Sequence, residues 1–164
     1  MDTTFTPPWT PPKKVEELYE KVLANNRFAA INRPTAGKRN EKELPVGDAD
    51  IQLYSVSTPN GQKVGILLEE LASAIGLKYD AHMTRINGNQ FNKGFVNINP
   101  NSKIPCMVDR NPVGGGGDLN LFESGSMMIY LADKYNMFIP KDVRGRAECI
   151  NWVMWQMAGQ GPMT

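Results

Sequence analysis

The stretch Ser57-Thr58-Pro59-Asn60-Gly61-Gln62-Lys63 joins a strand-like run to an amphipathic helix, and its residue types suit it to hold an anion. Thr58 is placed as an N-cap whose hydroxyl can satisfy an early backbone N–H, and Pro59 follows where its fixed φ and missing donor cost least. The remaining first-turn N–H groups and the positive end of the helix dipole favour negative charge. A thiol at such a place has its pKa drawn from ~8.5 into the range ~3.5–7.5. The turn carries no cysteine of its own, and the anion could be a thiolate supplied by a ligand.

Two further stretches carry chemistry. In Phe122-Glu123-Ser124-Gly125-Ser126 a strand ends and a helix begins. Ser124 reads as the N-cap, while Glu123 can accept from an ammonium group. The N–H and hydroxyl of Ser124 beside the carboxylate of Glu123 would suit an α-amino acid terminus. Plain helix capping is the alternative for Ser124. The second is Ile104-Pro105, just before a strand, where an X–Pro bond can be cis and turn the Ile104 backbone outward. An extended peptide could then pair with it by strand addition; an ordinary trans proline at a strand start is the other reading.

The elements that must position these residues follow from periodicity. Ile51 to Val56 alternates and is rich in β-branched and aromatic residues, which reads as a strand. Val64, Leu67, Leu68, Leu71 and Ile75 mark one face of a helix over about 61–75. A strand is expected at about 78–83, a short helix or loop at about 90–98, and two strands, Cys106-Met107-Val108 and Leu119-Asn120-Leu121-Phe122, joined as a hairpin through Gly114 to Gly117. Helices are expected from Ser124 to Lys134 and from Asp142 to Met157. The order βαβ, connecting helix, ββα is thioredoxin-like, an α/β class, with a right-handed parallel crossover in its first half. Before it, residues 1–46 form an extended arm, proline-rich at its start, with a short helix marked by Val15, Leu18, Tyr19, Val22 and Leu23. The domain proper spans 47–136, and a further helical segment, 142–164, follows it.

Several residues take bland readings. The four-glycine run lacks the Gly-Lys-Ser/Thr of a phosphate loop and reads as a turn. His82 has no nucleophile at recognisable spacing and reads as structural. Trp152, Trp155 and the nearby methionines read as packing surface, and Cys106 as a small buried apolar residue. With 164 residues, 41% hydrophobic and 21% charged, the chain has the composition of a soluble globular protein, and its net charge of +1 argues against a polyanionic partner such as nucleic acid. No run approaches the ~18 apolar residues of a membrane helix, and no signal peptide is evident, so a cytoplasmic location is expected. Cys106 and Cys149 lack CxxC spacing, which argues against a disulfide framework or a metal site.

Taken together, Thr58-Pro59-Asn60-Gly61-Gln62-Lys63-Val64, Asn97 to Pro105, Phe122 to Ser126 and Trp152-Val153-Met154-Trp155-Gln156 resemble the nu-class glutathione transferases of bacteria and fungi. The resemblance covers roughly residues 28–162. It implies a glutathione-binding thioredoxin-like domain followed by an all-helical one, of which 142–164 would be the first helix, cut short at Thr164; it also implies a homodimer when full length and glutathione-dependent reduction of a small disulfide, with weak action on electrophiles or peroxides. Carried over by motif, Thr58 and Asn60 would contact the sulfur, with Pro59 in the same turn. Lys103, Ile104 and Pro105 would hold the tripeptide backbone, Glu123 and Ser124 the γ-glutamyl end, and Asn32 and Gln90 a second glutathione. Thr58 and Gly61 stand where a thioredoxin-type enzyme keeps its two cysteines, so glutathione would bring the only reacting thiol at this turn. A non-catalytic glutathione-binding module, or an inactive fragment of such an enzyme, is the alternative.

Overall fold

In a computed structural model of the chain, the structure describes residues 37–161; the expected short helix of the arm and Asn32 lie outside them. The elements are β1 (Ile51–Ser55), α1 (Pro59–Ile75), β2 (Tyr79–Met83), a 3-10 turn (Asn89–Phe91), α2 (Lys93–Ile98), β3 (Cys106–Asp109), β4 (Leu119–Phe122), α3 (Ser124–Tyr135) and α4 (Val143–Trp155). They form one mixed sheet in the order β2-β1-β3-β4. β1 and β2 are parallel, and β1–β3 and β3–β4 are antiparallel. This is the thioredoxin-like arrangement expected from the order of elements.

The central strands are covered on both faces, which is why β1 is buried almost throughout. Ile51, Leu53 and Met107 face α1 and α3, packing with Val64, Leu67, Leu68, Leu71, Met127 and Leu131. Tyr54, Cys106 and Val108 face the other way, onto Phe95 and Ile98 of α2. The period-2 alternation of a strand thus feeds two cores. Ile75, expected to continue the buried stripe of α1, is instead 49% exposed. It is the last helical residue; the chain turns at Gly76, a left-handed C-cap, and Leu77 packs against the core.

Residues 37–46 run along the start of α2. The N–H groups of Lys93 and Gly94 donate to the carbonyls of Asn40 and Lys42, satisfying donors that a helix start leaves unpaired. The hydroxyl of Tyr54 donates to the carbonyl of Pro45 at 2.8 Å, tying this lead-in to β1.

Two boundaries differ from expectation. Ser124 is not the N-cap of α3: Glu123 occupies that position with φ 67°, so Ser124 is already helical. The chain leaves β4 through a left-handed residue, and this consumes the cap position one residue early. The last expected helix, 142–157, begins at Val143 under an Asp142 cap and changes at Gln156 into a π-helical turn, Gln156–Gln160.

Candidate functional site

The site begins at the start of α1. Thr58 is extended (φ −114°, ψ 161°), and its Oγ1 accepts from the Gly61 N–H at 3.3 Å, the cap expected from sequence. Its carbonyl accepts the first helical bond, from Gln62 at 2.8 Å. Pro59 has no N–H to offer and the Gly61 N–H is capped, while the Asn60 N–H has no intrahelical acceptor at its position in the first turn. The helix end therefore presents a donor and a positive dipole beside the Asn60 amide.

Asn60 opens into a cleft of about 210 Å³ lined also by Asn99, Lys103, Ile104, Pro105, Glu123 and Ser124. The Ile104–Pro105 peptide bond is cis. Six of the residues expected from sequence are brought together here: Asn60, Lys103, Ile104, Pro105, Glu123 and Ser124. Thr58 and Pro59 do not line the cleft; they shape the helix start from which Asn60 reaches it. Gln90 is not brought to it either. That side chain is buried, its Oε1 accepting from the Gly88 N–H and its Nε2 donating to the Ile86 carbonyl.

Asn99 was not singled out in the sequence. Its buried amide donates to the Lys103 carbonyl at 2.7 Å, and its Oδ1 accepts from the Asn101 N–H at 3.0 Å. It thereby clasps the loop that delivers Lys103 and Ile104 to the cleft. The Asn99-Pro100-Asn101-Ser102 run was the available signal, since Asn side chains close turns on their own backbone. Met157 meets the Ser124 hydroxyl at the edge of the cleft, and Lys63 in turn donates to Met157. A second, more open hollow of about 310 Å³ flanks the same helix end, lined by residues such as Val56, Gln62, His82 and Met83. It has no carboxylate or lysine in its wall, so it does not match a zwitterion as the cleft does.

The His82 ring stacks on Tyr54 at 5.0 Å and its Nε2 lies 2.8 Å from Gln52 Oε1. Gly114 to Gly117 all have positive φ, forming the tip between β3 and β4. Among the described residues no cluster of three or more metal-ligating side chains occurs. Also among them, no helix is long and apolar enough to cross a membrane. Cys106 is fully buried, and burial pushes its thiol well above the ordinary range. A thiol-alkylating reagent applied to the folded chain is accordingly expected to modify half-buried Cys149 and spare Cys106 until the protein unfolds, as read by peptide mass spectrometry.

The sheet order and the helices over it define a thioredoxin-like module, with a cysteine-free helix start and an acidic residue before α3 at one cleft. No protein-family model matches the chain. It is 49% identical over 144 residues to the disulfide-bond oxidoreductase YghU of Escherichia coli (strain K12), covering 85% of this chain and 48% of that protein. It superposes with a TM-score of 0.79 and 41% identity on the glutathione transferase YghU from Streptococcus pneumoniae ATCC 700669, solved in complex with glutathione, covering 93% of this chain and 57% of that one. A glutathione transferase family member from Pseudomonas fluorescens pf-5, solved with two glutathione bound, matches with a TM-score of 0.66 and 44% identity, over 73% of this chain and 51% of that one. The chain is thus a relative of disulfide-bond oxidoreductases and glutathione transferases. It spans about half the length of the curated relatives it matches.

Proposed function

We propose that this chain binds glutathione in the cleft between α1, the Asn99–Pro105 loop and α3, and serves a glutathione-dependent disulfide reductase of the transferase type. The observation that carries the reading is the convergence of Asn60, Lys103, Ile104, Glu123 and Ser124 on one cleft. In it, a carboxylate donor set and an ammonium acceptor stand opposite an anion-favouring helix end. Relatives solved with glutathione support it.

In this reading the Asn60 amide and the α1 helix end stabilise the glutathione sulfur as a thiolate, and Thr58 holds that helix end in place. The thiolate attacks one sulfur of a small disulfide: an S–S bond forms to glutathione, the substrate S–S bond breaks, and the leaving sulfur departs as a thiolate that takes a proton from water. A second glutathione thiolate resolves the mixed disulfide, giving oxidised glutathione and the second reduced thiol. A homodimer in the cytoplasm is the proposed setting, with an electrophile as an alternative co-substrate.

The test is calorimetric titration with glutathione, followed by turnover of a small disulfide. Asn60→Ala is expected to lower kcat/KM about tenfold to a hundredfold, the effect of losing one hydrogen bond to a charged group. Thr58→Ala should act on the same step and also cost about 1 kcal/mol of stability through the lost cap. Absence of glutathione binding by the unmodified chain would defeat the proposal, and unchanged rates in both variants would defeat the assigned roles.

A further inference from the structure

Lys63 stands one helical turn after Asn60, on α1, and its Nζ donates to Gln156 Oε1 and to Met157 Sδ, the latter at 3.0 Å. The same sulfur receives the Ser124 hydroxyl at 3.4 Å. An ammonium from α1 and a hydroxyl from α3 therefore converge on one thioether. That is an unequal match: a thioether is a weak acceptor, whereas a carboxylate forms bonds to such donors that are shorter and about twice as strong as neutral ones.

The surroundings fit a displaceable occupant. Met157 reaches this position from the π-helical turn by lying against Gly125, where a Cβ would stand 2.9 Å from the Met157 Cγ. Methionine is unbranched and re-packs easily. Glu123, the residue before Ser124, lies within electrostatic reach of Lys63 and raises its proton affinity, while burial lowers it more. An ammonium held partly out of water beside one carboxylate gains by meeting another.

We infer that Lys63 and Ser124 together bind the α-carboxylate of an amino acid terminus, with Met157 the side chain that yields to it and Glu123 taking the adjoining amino group. Lys63 is then a specificity-determining residue for the γ-glutamyl end of the ligand. This rests on the reading of the cleft as a glutathione site. It goes beyond it in assigning a cation to an end for which the motifs supply only an acid and a hydroxyl.

The experiment is calorimetric titration of the 164-residue chain with glutathione and with 4-aminobutyryl-cysteinyl-glycine, which is glutathione without that carboxylate. The unmodified chain should favour glutathione about tenfold to a hundredfold. Lys63→Met should remove most of that preference by weakening glutathione alone, and Lys63→Arg, which keeps the charge, should retain more of it than Lys63→Met does. Equal weakening of both ligands by Lys63→Met would overturn the inference, as would equal affinity of the unmodified chain for both, a comparison that needs no variant to fold. If the unmodified chain binds neither peptide, the glutathione reading itself falls and the inference falls with it.

Discussion

Asp109→Ala is expected to lose about 3–5 kcal/mol of folding stability, the cost of leaving a buried ion pair with one member. Asp109 ends β3 and is wholly buried. Its Oδ2 accepts from the Tyr130 hydroxyl at 2.6 Å and from the Lys134 ammonium, and its Oδ1 from the Asn111 N–H at 2.9 Å. Lys134 keeps only 11% of its side chain exposed, so without Asp109 its charge has little water to turn to. Tyr130 is affected too: burial, then its bond to the Asp109 carboxylate, hold the phenol above its usual pKa. The cluster fastens α3 to the sheet, and α3 carries Ser124 at its start. Urea unfolding is the measurement, and a loss below about 1 kcal/mol would show that the cluster is not the clamp described. Asp109→Leu combined with Lys134→Met should recover much of the loss, because a buried pair is costly to break and inexpensive to replace as a unit.

The second large effect is at Gly61. A Cβ built there would lie 2.2 Å from the Val56 carbonyl oxygen and 2.4 Å from Ser55 Oγ. The first contact is backbone, so it is relieved only by moving the first turn of α1 away from the end of β1. Overpacking of this kind costs about 1–3 kcal/mol and sometimes more, which outweighs the ~1 kcal/mol that alanine gains over glycine in a helix. The displaced turn holds both the Thr58 cap and Asn60. Gly61→Ala is therefore expected to lose glutathione binding beyond detection by calorimetry while lowering the thermal midpoint. Gly65→Ala is the control: its Cβ meets nothing within 4 Å, and it should stabilise the chain by about 0.5–1 kcal/mol. Destabilisation by both substitutions alike would mean that α1 tolerates no alanine for reasons other than the contact with β1.

The difference between these two glycines, four residues apart on one helix, lies in tertiary structure alone. Both sit in the same apolar-periodic run, and neither has positive φ. Only the approach of Gly61 to the β1 end separates them.

What the amino-acid sequence by itself determined is local. The order of strands and helices, the burial of Val64, Leu67, Leu68 and Leu71, and the Thr58 cap all depend on periods and hydrogen bonds spanning a few residues, so residue type and spacing carry them. The gathering of Asn60, Lys103 and Glu123 was legible less directly, through motifs whose joint presence resembles one family. Tertiary structure decided the remainder. Glu123 took the cap position from Ser124 because the chain turns out of the sheet there, a matter of how β4 meets α3. Gln90 was drawn into the bonds of its own loop, and Asn99 became the clasp of another. Lys63 met Met157 across a separation of 94 residues, and Ser124 met it across 33. Contacts at such separations leave no period in the sequence, because they are set by how whole helices pack and not by what neighbours each residue along the chain.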